Sequence, residues 1–217
     1  MRELTSAPAP EALADMLRGD KPLLLRGLVA DWPAVRASAM PGGALAYLRA
    51  FSAGATVGAW FGPPEIDGRF GYTADLSGVN FVREKLAFEA LLDALEQHRG
   101  QPRPPAIYMG STTVDTCVPG FRADNRIDIG QPDALVSLWL GNRSTVAAHQ
   151  DLPDNLACVI AGHRRFTLLP PDEVGNLYLG PLENTLAGQP TSLVDFGHPD
   201  LARFPKFAAA QARAQVA

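Results

Sequence analysis

Residues 138–171 read LWLGNRSTVAAHQDLPDNLACVIAGHRRFTLLPP, and the texture of this stretch decides the fold. Short apolar runs alternate with turn residues. Ala134 to Leu140, Ser144 to His149, Asn155 to Ala161 and Arg164 to Leu169 are expected to be strands. Gly141-Asn142, Leu152-Pro153-Asp154 and Gly162 are expected to turn the chain between them. Ile107-Tyr108-Met109 adds one more strand upstream. Even spacing of short strands predicts a mainly β fold, a sandwich or barrel of antiparallel strands. The 20 glycines and 19 prolines of the 217 residues argue the same way, since a helix bundle has little use for so many turn formers.

Outward from this stretch, toward the N-terminus, the periodicity changes to that of helices. Pro10 to Arg18 carries Leu13, Met16 and Leu17 on one side and stops at Gly19. Gly43 to Phe51 repeats the pattern with Leu45 and Leu48. Glu84 to His98 is expected to be the clearest helix, with Phe88, Leu91, Leu92 and Leu95 in one stripe and Gly100 and Pro102 beyond its end. No repeat or low-complexity linker divides the chain, so residues 1–217 are expected to form one domain, with a helical front to about residue 104 and a β-rich back. The alanine-rich tail from Phe207 to Ala217 is expected to be a terminal helix or the stump of a longer chain.

Composition narrows the function. With 19 basic and 23 acidic residues the net charge is −4, which offers no footprint for nucleic acid or an anionic membrane. Apolar runs as short as Leu23-Leu24-Leu25 cannot span a bilayer. Glu3, Pro8, Pro10 and Glu11 interrupt any secretory-signal layout. Two cysteines, Cys117 and Cys158, make neither a disulfide framework nor a four-cysteine zinc site. A cytoplasmic location is the default expectation, and a homodimer is compatible with everything above.

The chemistry centres on His149-Gln150-Asp151. On an extended strand, residues two apart face the same side, so an imidazole and a carboxylate would project together and hold one divalent metal between them. That is two-thirds of a 2-His-1-carboxylate site, which leaves coordination positions open. A lone His-x-Asp is more often a surface salt bridge or a turn.

Its surroundings carry more weight. Leu138-Trp139-Leu140-Gly141, His149-Gln150-Asp151, Asp154-Asn155-Leu156 and Gly162-His163-Arg164-Arg165-Phe166-Thr167-Leu168-Leu169-Pro170-Pro171, followed by Asn176-Leu177-Tyr178, Pro199-Asp200 and Arg203-Phe204-Pro205, resemble the cupin-like branch of the JmjC oxygenases, and within it the asparaginyl hydroxylases. The resemblance implies a double-stranded β-helix, or jelly roll, that binds Fe(II) and 2-oxoglutarate. It puts His149 and Asp151 on the first two metal ligands. Arg164 falls where such relatives carry a lysine for the far carboxylate of 2-oxoglutarate, a task a guanidinium performs bidentately. Tyr108 and Asn155 fall on residues that help hold the co-substrate. The implied reaction is oxygenation of a protein side chain or a small molecule, with release of succinate and carbon dioxide.

Two departures stand against the family pattern. Val146 occupies the place of a threonine that donates to the co-substrate, although Thr145 is next door. The family's third ligand, a histidine in a Gly-Asp…Pro…Trp-x-His segment, should follow the Phe204-Pro205 region, and none occurs by Ala217. His163 is expected to point away from Arg164, His198 lies in a Gly-His-Pro-Asp loop, and His98 ends a helix where a cationic ring suits the dipole; none is expected to substitute. The chain is therefore expected to lack the last strands of its barrel, to bind metal weakly and to turn over little. A non-catalytic jelly roll with a degenerate metal site is the competing expectation, while a cupin isomerase or metal-dependent hydrolase would leave Arg164 and Tyr108 without a role.

Overall fold

The computed structural model of the chain describes residues 1–6 and 8–217. In chain order the elements are β1 (Arg2–Leu4), α1 (Pro10–Leu17), β2 (Leu23–Leu25), α2 (Pro33–Ser38), α3 (Gly43–Ala50), β3 (Thr56–Gly62), β4 (Arg69–Phe70), β5 (Val82–Ala87), α4 (Phe88–Gln97), β6 (Ala106–Thr113), α5 (Val114–Cys117), α6 (Phe121–Asp124), β7 (Ser137–Gly141), β8 (Thr145–Val146), β9 (Thr167–Leu168), α7 (Phe207–Arg213) and β10 (Gln215–Val216), with 3₁₀ turns at Pro64–Ile66 and Pro171–Asn176.

A four-stranded antiparallel sheet in the order β5-β3-β6-β7 forms the central layer. Its two inner strands are the long ones, and β6 sorts its side chains by parity. Ile107 and Met109 enter one core with Val57, Ala59, Phe88, Leu91, Leu92 and Leu95. Ala106 and Tyr108 enter a second, with Phe70, Phe81 and Leu186. The sheet is therefore a partition: helix α4 packs on one side, and an aromatic cluster lies on the other. In that cluster Trp60 stacks on Phe81 at 4.4 Å and tilts against Tyr108 at 5.6 Å. Where β6 meets β7 the backbones run so close that a Cβ on Gly141 would stand 2.6 Å from the Ile107 carbonyl oxygen. Only glycine fits there.

The front of the chain is not purely helical. Residues 84–87, expected in the same helix as the Phe88 stripe, instead belong to β5, which pairs with β3 from Val82↔Phe61 to Ala87↔Thr56. Ladder formation outweighs the helix propensity of Glu84-Lys85-Leu86-Ala87, and helix α4 begins only at Phe88. The charged side chains of Arg83, Glu84 and Lys85 suit β5 to its place at the sheet edge. The apolar stripe itself is as expected, with Phe88, Leu91 and Leu92 fully buried.

The back of the chain carries less strand than its sequence suggests. Of the stretch Ser144 to His149 only Thr145–Val146 pairs, in parallel with Arg69–Phe70. Of Arg164 to Leu169 only Thr167–Leu168 pairs, with Gln215–Val216. Asn155 to Ala161 forms no strand. A β-competent sequence becomes a strand only when a neighbour accepts its hydrogen bonds, and among the described residues this segment has none. The tail forms both a helix and a strand. Arg213 fastens α7 to the Pro171–Asn176 turn through Asp172 and the buried Glu173, and Phe207 enters a third apolar cluster with Val194 and Phe204. No helix among the described residues is long and apolar enough to cross a membrane.

Candidate metal and co-substrate site

Strand β8 ends at Val146, so His149 and Asp151 do not lie on a paired strand as expected. They are nonetheless together, with His149 Nε2 3.6 Å from Asp151 Oδ1. The local chain is held by Ser192 N–H donating to the Ala148 carbonyl at 2.7 Å, and the imidazole is held by its own backbone. His149 Nδ1 lies 2.8 Å from the Ala147 carbonyl oxygen. A carbonyl can only accept, so Nδ1 carries the hydrogen, and in the neutral ring Nε2 presents its lone pair toward the Asp151 carboxylate.

A mixed nitrogen and oxygen donor pair with the tautomer already set by a backbone carbonyl is the arrangement a first-row divalent cation takes up. The separation of 3.6 Å is beyond hydrogen-bond range, leaving space between the two donor atoms. The pair thus fits a cation as two protein donors. Among the described residues no group of three or more His, Cys, Asp or Glu side chains comes together, so these residues supply no third donor of those types.

The Asp151 carboxylate has two further partners. Asn155 Nδ2 donates to Oδ2 at 3.2 Å and to the Pro153 carbonyl at 3.3 Å. Asn155, assigned to the co-substrate by resemblance, thus spends its amide on the acid and on its own turn. Gln189 Nε2 donates to Oδ1 at 3.0 Å. Sequence reasoning did not single out Gln189. It lies 38 positions away, in a stretch with no periodicity or motif to mark it.

Tyr108 stands at the floor of this region, 8% exposed. Burial pushes its phenol above the usual range; Arg164 pulls it down and Asp151 pushes it up. Cation and carboxylate therefore both act on the same hydroxyl. Arg164 is exposed, its guanidinium 5.9 Å from the centre of the Phe166 ring. Among the described residues no carboxylate lies within 4.0 Å of it, so its charge is not committed to an internal ion pair.

The other candidates lie elsewhere. Thr145 and Val146 are both exposed on β8. His163 is exposed beside Gly162, and without a ladder the strand-parity argument that aimed it away from Arg164 does not apply. The side chain of His198 is 93% exposed, 3.9 Å from Asp195. His98 caps α4 and its Nδ1 lies 3.0 Å from Gln101 Oε1.

Burial also raises the thiols of Cys117 and Cys158. Groups whose acid forms are favoured by folding contribute stability that is complete below their unfolded values and fades as pH rises toward the folded ones. Those unfolded values are about 8.5 for a thiol and about 10 for a phenol. The melting temperature is therefore expected to hold to about pH 8 and to fall steadily beyond it, with Cys158→Ala blunting the first part of the fall. A melting temperature flat from pH 8 to 11 would contradict this.

Comparison with known proteins gives one family match, a cupin-like domain, over residues 8–217. The bifunctional peptidase and (3S)-lysyl hydroxylase JMJD7 of Homo sapiens is 25% identical over 227 residues, covering 91% of this chain and 68% of that protein. Lysine-specific demethylase 8 of Danio rerio is 26% identical over 204 residues, covering 91% of this chain and 46% of that protein. The JmjC domain-containing protein D of Dictyostelium discoideum is 27% identical over 154 residues, covering 60% and 34%. The chain spans about two thirds of the first relative's length and less than half of the other two.

Proposed function

The chain belongs to the cupin-like family of JmjC-type 2-oxoglutarate oxygenases, and from that premise we propose that it is an Fe(II)- and 2-oxoglutarate-dependent oxygenase that modifies a protein side chain. The observation that carries this reading is the His149 ring, with Nδ1 bound to a backbone carbonyl and Nε2 turned toward Asp151. With Nδ1 taken up by the backbone, Nε2 is the ring nitrogen left to face the acid and a cation beside it. The names of two relatives speak of lysyl hydroxylation and lysine-specific demethylation, which favours a protein substrate over a small molecule and a lysine over an asparagine.

In this reading His149 and Asp151 hold the iron, and Arg164 anchors the far carboxylate of 2-oxoglutarate. When bound, iron and co-substrate supply the oxidative chemistry, with succinate and carbon dioxide as products beside an oxygenated C–H position. The residues of the chain do the rest. Tyr108 closes the floor, its phenol pushed by burial further above the usual range, and its hydroxyl can donate to a co-substrate oxygen. Trp60, Phe70 and Phe81 back it with apolar surface that keeps water out.

The second reading is a cupin-like binding module whose metal site has decayed. The lack of a third acidic, histidine or cysteine donor among the described residues and the place of Val146 favour it. One experiment separates the two. Anaerobic addition of Fe(II) and then 2-oxoglutarate gives a weak metal-to-ligand absorption band only in a competent site. A band together with succinate formation supports the oxygenase; neither supports the module. Within the oxygenase reading, Arg164→Ala is expected to raise the 2-oxoglutarate concentration that half-develops the band about tenfold to a hundredfold, the worth of a charge-assisted pair. Fe(II) affinity should change little. Equal losses in both would remove Arg164 from its role.

A further inference from the structure

We infer that Gln189 is a positioning residue that aims the Asp151 carboxylate at the metal, an inference that rests on the oxygenase reading of the site. Asp151 Oδ1 is the oxygen that faces His149 Nε2, and it is the same oxygen that accepts from Gln189 Nε2 at 3.0 Å. A carboxylate oxygen has two acceptor directions. With Gln189 on one, the other is left for a cation between Oδ1 and Nε2. Asn155 donates to Oδ2, so each oxygen has an amide partner that orients the carboxylate.

The fold delivers Gln189 to this place from two anchors. Leu186, 2% exposed, is buried in the aromatic cluster with Phe70 and Tyr108. Ser192, also 2% exposed, donates its N–H to the carbonyl of Ala148, one residue before His149. Between them Gly188 takes a φ of +99° and bonds back to Thr185 Oγ1 at 3.0 Å, a conformation that glycine adopts readily. The chain from 186 to 192 thus runs beside 148–151 and sets the Gln189 carboxamide against the acid.

The chemical type of the residue matters as much as its place. A lysine or arginine here would orient the carboxylate equally well but would repel the incoming cation and neutralise its ligand. A carboxamide fixes the geometry and leaves the negative charge intact. Hydrogen bonds to a ligating carboxylate of this sort are worth about 10- to 100-fold in metal affinity.

Co(II) alone, followed by its visible absorption and by calorimetry, tests the inference on the 217-residue chain without any turnover. Gln189→Ala is expected to weaken Co(II) binding about 10- to 100-fold. Gln189→Glu is expected to strengthen it, because a carboxylate 3.0 Å from Asp151 Oδ1 becomes a third donor. A residue that merely props up the loop would weaken binding in both variants. That outcome, or wild-type affinity in Gln189→Ala, overturns the inference while leaving the oxygenase reading in place. Co(II) binding by Gln189→Glu with none by wild type would overturn the inference together with the metal reading of the natural site. No binding by either overturns both.

Discussion

Replacing Asp151 by alanine is expected to abolish stoichiometric Fe(II) binding, while the chain stays folded. The donor pair is one neutral imidazole and one carboxylate, and among the described residues no third acidic, histidine or cysteine group stands beside them. Removing the acid leaves His149 Nε2 alone with water. A single imidazole does not hold a divalent cation of this class, so affinity should fall by at least about a hundredfold. Folding should be spared. The Asp151 side chain is 48% exposed, and its two amide partners, Asn155 and Gln189, can turn to solvent. Equilibrium dialysis against Fe(II) under anaerobic conditions, read beside the melting temperature, separates the two effects. Asp151→Asn sharpens the test, because it keeps the shape and removes the charge. One iron per chain retained in either variant would dismiss the pair as a metal site and return it to an ordinary surface contact.

The same pair shows what was legible in the sequence and what was not. His149 and Asp151 were expected to meet because alternate residues of a strand share a face, yet β8 stops three residues before His149. They meet through the local course of the backbone, the ring being held by Ala147. The period-two argument reached the right neighbours by a route the chain does not take. Helix α4 was legible because its stripe is long, apolar and ended by Gly100 and Pro102. Its start was not, since nothing local separates Glu84-Lys85-Leu86-Ala87 from the helix. Only pairing with β3 does so.

Strand β3, the inner strand that β5 and β6 both join, carries no clear strand signal in its sequence. Gly58 and Gly62 break its alternation, and Pro63-Pro64 beyond it reads as loop. Residues 155–161 erred the other way, β-competent by sequence and unpaired in the fold. Sequence pattern records what a segment can do, and partners decide what it does. Gln189 is the extreme case, a residue whose only significance is a contact made across 38 positions.

Phe88→Ala is expected to cost about 3–5 kcal/mol of stability, a large share of the about 5–15 kcal/mol that holds a typical domain. Phe88 is fully buried at the first turn of α4, and its backbone N–H donates to the Ala55 carbonyl at 2.9 Å just before β3. Its ring fills the space among Leu91, Leu92, Val57 and Ile107 on the helical side of the sheet. Truncation opens a cavity there that backbone pinned by the β3–β5 ladder cannot close. The site lies across the partition. Tyr108 leaves β6 on the opposite face from Ile107 and Met109, and no residue of the His149–Asp151–Gln189 group belongs to the Phe88 cluster. Chemical denaturation should therefore show a much lower midpoint with an unchanged slope. In the molecules that remain folded in the cold, Co(II) affinity should match that of wild type. A loss of metal affinity as large as the loss of stability would mean that the sheet does not insulate the site from the helical core. A loss of stability below about 1 kcal/mol would mean that the α4 stripe is not the backing on which the sheet rests.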